Sequence, residues 1–300
     1  MKSPLPVVDG VGASSHWLPA GPWPTLLAYL QQAFPEVNGA VWASRMARGL
    51  VVDADGGVMT VDEPYRCGRR IFYYREVAAE PTIPFVEKVL YQDEHLLIVD
   101  KPHFVPVVPA GQFLQQTLLV RLRRQLALQD LAPLHRLDRE TAGLVMFSTN
   151  PDSRGRYARL FAERRVIKGY EALAAVDDAL ASGRLYRSRL VRGQPFFRVA
   201  EGEGVANSET HVRLMARHAA LGRYRLRPLT GHKHQLRVHM AALGVPIVND
   251  PLYPQWRPKE PGDFSAPLQL LARTLAFRDP LTGAWRRFHS AQRLKWPATA

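Results

Sequence analysis

One acidic residue constrains this chain more than any other. Asp138 stands between a His-Arg pair, His135-Arg136, and a turn of small residues, Thr141-Ala142-Gly143. An apolar run, Leu144 to Phe147, follows at once. The spacing predicts a buried strand over Ala142 to Ser148, so the carboxylate is held on the loop that feeds it. An acid placed beside cations and against a buried strand has the surroundings of a reactive group rather than a solubilising one.

The chain can afford such a site. Its 300 residues, 46% hydrophobic and 22% charged, suffice for one large domain and a small one with a substantial core. The net charge of +13 favours a polyanionic partner, because each neutralised phosphate releases condensed counterions. No basic amphipathic helix or lipidation signal points to a membrane surface, and no apolar run approaches the ~20 residues of a bilayer span. The one cysteine, Cys67, excludes an internal disulfide and a multi-cysteine zinc site. The first residues carry no apolar signal core, so the expectation is a monomeric cytoplasmic enzyme.

Along the chain, the Pro- and Gly-rich first 24 residues read as irregular. Helices are expected from Trp23 to Pro35 and from Val41 to Arg48, then strands at Gly49–Asp53, Val58–Val61 and Arg70–Tyr74. That order is similar to a degenerate S4-type RNA-binding module, with Arg45, Arg48, Arg69, Arg70 and Arg75 as phosphate contacts. Ala79 to Pro84 reads as a linker, giving a domain over 1–82 and a catalytic domain over 83–300. In the second, strands are expected at Val89–Tyr91, Leu96–Asp100, Ala142–Ser148, Val166–Ala174, Thr210–Met215 and Arg223–Leu226. Helices are expected at Phe113–Leu128, Asp152–Phe161 and Thr230–Gly244. The fold class is α+β, with a mixed, largely antiparallel central sheet.

Leu134–Val145 resembles the His-Arg-Leu-Asp-x-x-Thr-Ser-Gly loop of the RluA-type RNA pseudouridine synthases. Arg165–Ala172 resembles their Lys-x-Tyr segment, and Leu226–His239 their third motif. Further likeness lies at Leu96–Pro102, Gly244–Asp250 and Leu270–Gly283. The resemblance implies the synthase fold and a reaction that breaks the ribose C1′–N1 bond of uridine, turns the base and rejoins it through C5. Asp138 would be the catalytic nucleophile or base. Arg237 would be its cation, since a buried carboxylate needs one, and Tyr170 the platform for the uracil. The remaining substrate contacts would be His135, Arg136, Leu137, Thr141, Lys168, His234 and Leu236. Arg136 would either fill the space left by a flipped base or form a buried ion pair, and Lys168 would meet a phosphate or support the pocket.

Nothing in that reaction is oxidised and no phosphate moves, so no cofactor is expected and no nucleotide cofactor either. Nor does a glycine-rich phosphate loop occur. His232, His234 and His239 have poor spacing for zinc, and no metal is expected. The implied partner is structured RNA, ribosomal RNA first and transfer RNA second, contacted in part by the arginines around 154–165 and 184–192. Three departures stand out: Ala142 for the usual Ser, His232-Lys233 for Arg-Thr, and Phe104-Val105 for Gly-Leu. Two other readings remain open from the residues alone. One is a decayed synthase fold that only binds RNA; the other is a hydrolase pairing Asp138 with Glu140.

Overall fold

The computed structural model describes residues 3–77, 79–260 and 262–296. It divides into two compact units, Met1–Glu80 and Pro81–Ala300.

The first unit opens on strand β1 (Ser14–Trp17), where irregular chain was expected. Helices α1 (Leu26–Ala33) and α2 (Gly39–Ala47) follow, then β2 (Val51–Val52) and β3 (Arg70–Tyr73), in a sheet ordered β1-β3-β2. The hydroxyl of Thr25 and the amide oxygen of Asn38 cap the two helices. The early sequence misled because β1 pairs with a strand more than fifty residues later, His16 opposite Ile71, and local composition carries no record of that. Val58 contributes only an isolated bridge to Val52, not a strand. The arginines expected to meet phosphates are largely engaged within the unit. Arg45 is buried against Trp42 and bonds Glu76, which also holds Arg48. Arg69 pairs with Asp53 and Glu63, and Arg70 donates to Ser15.

The second unit is built on β4 (Lys88–Gln92), β5 (Leu96–Lys101), β6 (Ala132–Pro133), β7 (Ala142–Ser148) and β8 (Ile167–Ala175). It continues through β9 (Arg184–Arg192), β10 (Val199–Gly202), β11 (Ser208–His218), β12 (Leu221–Pro228), β13 (Leu270–Arg278) and β14 (Trp285–His289). The sheet runs β10-β9-β11-β12-β8-β13-β7-β5-β4, with β14 beside β13 and β6 beside β7. Among the described residues, only β7 and β13 pair in parallel. The expected largely antiparallel α+β sheet is what forms.

Helices α3 (Leu118–Leu126), α4 (Pro151–Ala162) and α5 (Gln235–Ala242) cover it. Strands β5 and β7 are buried along their whole length, as the apolar runs Leu96–Val99 and Leu144–Phe147 within them require. Leu97, Val99, Val145 and Phe147 pack on the α3 side, and Leu96, Ile98, Leu144 and Met146 on the α4 side. Strands β11 and β12 instead alternate buried and exposed residues; α5 covers one face, and on the other the ring of Trp296 lies against His218 at the end of β11.

Three helix starts fall later than their periodicity implies, α1 beginning at Leu26 rather than Trp23. Helix α3 begins after Thr117 rather than at Phe113. Phe113 is tied to Ala110, and the amides of Leu118 and Leu119 bond the carbonyls of Pro106 and Val107. Helix α5 begins at Gln235 rather than Thr230. The Gln235 side chain accepts from the Thr230 hydroxyl and the His232 amide and donates to Glu209 and Thr210, diverting 230–234 into a turn. His234 there takes a left-handed backbone conformation, φ 56°.

Candidate active site

Asp138 lies on the loop entering β7, in a turn closed by the Thr141 amide donating to its carbonyl at 3.1 Å. Its carboxylate is about a quarter exposed, so it is reachable without being solvated all round. Arg237, on α5 and almost fully buried, donates to Asp138 Oδ2 at 3.2 Å. Its other edge is held by Asp250 at 2.8 and 2.6 Å, and its guanidinium lies over the ring of Tyr253. These carboxylates raise the Arg237 pKa, although burial alone would lower it.

Asp250 is itself fixed, because its Oδ1 accepts the amides of Leu252 and Tyr253. Neither Asp250 nor Tyr253 was singled out for the site from sequence. The signal available was faint: an Asp thirteen positions after Arg237, past a helix end and a turn, with nothing local to tie the two together.

His234 completes the surround. Its Nε2 stands 3.9 Å from Asp138 Oδ1, and its Nδ1 is 2.9 Å from the Tyr253 hydroxyl. That hydroxyl already accepts the Val199 amide at 2.8 Å, and His234 Nδ1 is the acceptor in reach of its own proton. Tyr253 therefore donates to Nδ1, which leaves the His234 proton on Nε2, facing the carboxylate. Burial lowers the His234 pKa to about 4, which keeps the ring neutral.

Tyr170 on β8 is half-buried, in the cluster containing Leu236 and Leu226. Burial first, and the negative charge of Asp138 second, raise its hydroxyl well above the usual range, so it stays protonated. Lys168 donates to the Thr230 carbonyl at 3.2 Å and is lowered by burial. His135 holds the loop from the other side: its Nε2 accepts the Met146 amide at 3.1 Å and its ring stacks on Phe161 at 4.8 Å. Leu236 and Thr141 are interior residues, and Leu137 packs at the margin of the α3-side core. Arg136 is exposed, which removes the buried ion pair as its explanation.

Lys101 was read only as the end of a strand, yet it is fully buried beneath this loop. Its Nζ donates to the carbonyls of Pro102, Val105 and Arg139 at 3.0, 2.9 and 3.1 Å. Desolvation pulls its pKa down to about 7. Glu140 is buried and engaged by Arg139, turned to a partner other than those of Asp138. The three histidines of the third segment also part company. His232 bonds the Asn207 carbonyl, His234 faces Asp138, and His239 is buried among Ser188, Ser208 and Thr210.

A family model described as RNA pseudouridylate synthase matches residues 95–242, a span that includes Asp138, Tyr170 and Arg237. The dual-specificity RNA pseudouridine synthase RluA of Pasteurella multocida is 32% identical over 212 residues, 69% of this chain and 94% of that one. The human pseudouridylate synthase RPUSD2 is 33% identical over 184 residues, 59% of this chain, which there spans only 32% of the human protein. The solved structure of human RNA pseudouridylate synthase domain containing 1 superposes with a TM-score of 0.56 at 25% identity, covering 71% of this chain and 86% of that one. The chain belongs to the RNA pseudouridine synthase family, whose members are isomerases acting on uridine in RNA.

Among the described residues, no helix is long and apolar enough to cross a membrane.

Proposed function

We propose that this protein isomerises particular uridines of structured RNA to pseudouridine, with ribosomal RNA as first target and transfer RNA as second. It does so as a cytoplasmic monomer without a cofactor. Asp138 acts at the ribose as nucleophile or base. The observation that carries this reading is the Asp138–Arg237 contact at 3.2 Å, next to a Tyr170 whose protonation its neighbours enforce. Arg237 holds one carboxylate oxygen and His234 faces the other, so Asp138 meets the sugar in a fixed orientation. The uracil, once extruded, lies on the Tyr170 ring, and the uncharged hydroxyl adds no repulsion as electron density builds on the base. Exposed Arg136 fills the vacated stack. The word dual-specificity in the Pasteurella relative's name supports a pocket that admits more than one RNA. We further propose the first 82 residues as an S4-like RNA-binding module.

The test is a transcriptome-wide carbodiimide map of cells carrying the wild-type gene or Asp138→Asn. One or a few uridines lose their pseudouridine signal in the variant. An unchanged map rejects Asp138 as the catalytic group, and free uracil in the reaction points to hydrolysis instead.

A further inference from the structure

Strands β11 and β12 bury Val212, Leu214, Tyr224 and Leu226 on the face covered by α5. Every second residue turns the other way, and there Arg213, Arg223, Arg225 and Arg227 are exposed. The register sets like charges directly opposite one another. Arg213 faces Arg225 across the ladder. Direct opposition of like charges is destabilising, and a face kept only for solubility interleaves both signs.

The acids nearby offset this charge only in part, since Glu171 stands opposite Arg225 across the β8–β12 ladder. Glu209 is taken by Arg187 at 3.3 Å, and Glu171 by Arg273 at 3.6 Å. Between Arg223, Arg225 and Arg273 a cleft of about 340 Å³ opens directly behind the Tyr170–Glu171 backbone.

We propose that this reverse face of the catalytic sheet is a second RNA-contact surface. It takes the phosphates of a duplex arm of the substrate, on the side of the sheet opposite Asp138. The inference rests on the reading of the chain as an RNA-modifying enzyme, and it adds where on the protein a second part of that RNA is held.

Charge and residue type choose the occupant. Arginine supplies most of the 40 basic residues of the chain, and its planar fork grips phosphate with two hydrogen bonds. Along β12 the guanidiniums recur every second residue, ~7 Å apart, which makes a row suited to a backbone. Met215 is the one large apolar side chain exposed among them on β11 and β12. A protein partner would want a hydrophobic centre there, and a lipid surface would want residues to insert. Neither is offered.

The test is binding of a 24-base-pair RNA duplex, followed by fluorescence anisotropy across a salt series, for the wild type and Arg213→Gln/Arg225→Gln/Arg227→Gln. The triple variant binds at least about tenfold more weakly at physiological salt, and its slope of log K against log salt falls by about 3, near one per lost phosphate contact. Its Tm holds or rises, because repulsion is relieved. Turnover on a short stem-loop that reaches only the Asp138 side is unchanged.

Equal affinity and slope in variant and wild type overturn the proposal. So does a switch of the same variant's defect to vesicles containing anionic lipid or to polyglutamate. If the triple variant fails to fold, Arg227→Gln alone is measured, with an expected slope change of about 1 and the same overturning result. Pseudouridine formation in total RNA is scored separately. Its presence with no reverse-face effect sinks this proposal alone, and its absence with the effect intact sinks the catalytic reading alone.

Discussion

Arg237 and Asp250 are joined by two parallel hydrogen bonds, 2.8 and 2.6 Å, with both side chains almost wholly shielded from water. The pair is what aims the remaining guanidinium nitrogen at Asp138. Its two halves lie on either side of the α5 terminus, so the loop bearing Asp138 takes its orientation from an ion pair formed behind it. Asp250→Ala leaves the buried cation with Asp138 as its remaining carboxylate, and removing one partner of a buried pair costs about 3–5 kcal/mol. The expected result is a fall in urea midpoint together with a loss of turnover larger than any loss of RNA affinity. An Asp250→Ala protein as stable and as active as the wild type would show that Arg237 orients itself without help.

Tyr253→Phe tests the proton on His234. The ring and its stacking on Arg237 remain, but the donor to His234 Nδ1 is gone, so the two neutral tautomers interchange. Nitrogen-15 shifts of His234 should move from an Nε2–H signature towards a tautomer mixture. We expect kcat to drop by about twofold to tenfold, on the order of 0.5–1.5 kcal/mol for one hydrogen bond, with KM for RNA little changed. A tautomer signature identical to that of the wild type would dismiss the lock. Loss of the Val199 contact alone would lower Tm without moving the nitrogen shifts.

Sequence reading reached the parts of this site that recur as short contiguous runs. The loop bearing Asp138 and the strand it feeds are local, and Leu144 to Phe147 announce their own burial. Tyr170 and Arg237 were found the same way, each inside a compact segment. What stayed hidden depends on pairing across distance. Asp250 and Tyr253 matter only because a turn after α5 brings them under Arg237. Lys101 looks like a strand's polar end until three loop carbonyls close over it. Strand β1 is invisible without β3. The helix starts failed for the same reason: a hydrophobic period says which side chains share a face, but not that the Gln235 side chain will claim the preceding turn.

Gly143 shows how tightly that loop is held. Its φ is +110°, and a Cβ built there would lie 2.3 Å from the Ala272 carbonyl oxygen on the adjoining parallel strand. The obstacle is backbone, which cannot swing aside. Gly143→Ala must therefore part β7 from β13 or twist the residues leading back to Asp138. A loss of about 2 kcal/mol or more is expected from strain of this kind, visible as a lowered Tm, and turnover should fall even at temperatures where the variant stays folded. Full activity in a variant with unchanged Tm would mean that the two strands can separate freely.

Three histidines set an acid limit on the fold, His234 and His239 buried and His135 half-buried. Burial holds His135 near a pKa of about 3, and His234 and His239 near about 4. His135 must stay neutral to accept the Met146 amide, and His234 to accept from Tyr253. In the unfolded chain each titrates near the ordinary value of about 6.5. As pH falls through about 6.5, the unfolded state takes up protons that the native state refuses. Stability is therefore complete above that value and is lost between about 6.5 and 4, by up to about 1.4 kcal/mol per pH unit for each fully shifted group. Lowered carboxylates such as Asp53 and Asp279 act in the same direction, but only as pH falls below their ordinary range, so pH 5–6.5 isolates the imidazoles. Urea midpoints should decline steadily from pH 7 to pH 5, and His135→Gln, which still offers an acceptor to Met146, should make that decline shallower. A midpoint indifferent to pH over this window would mean that these rings are charged in the folded protein, and with that the neutral Nε2–H facing Asp138 would have to be abandoned.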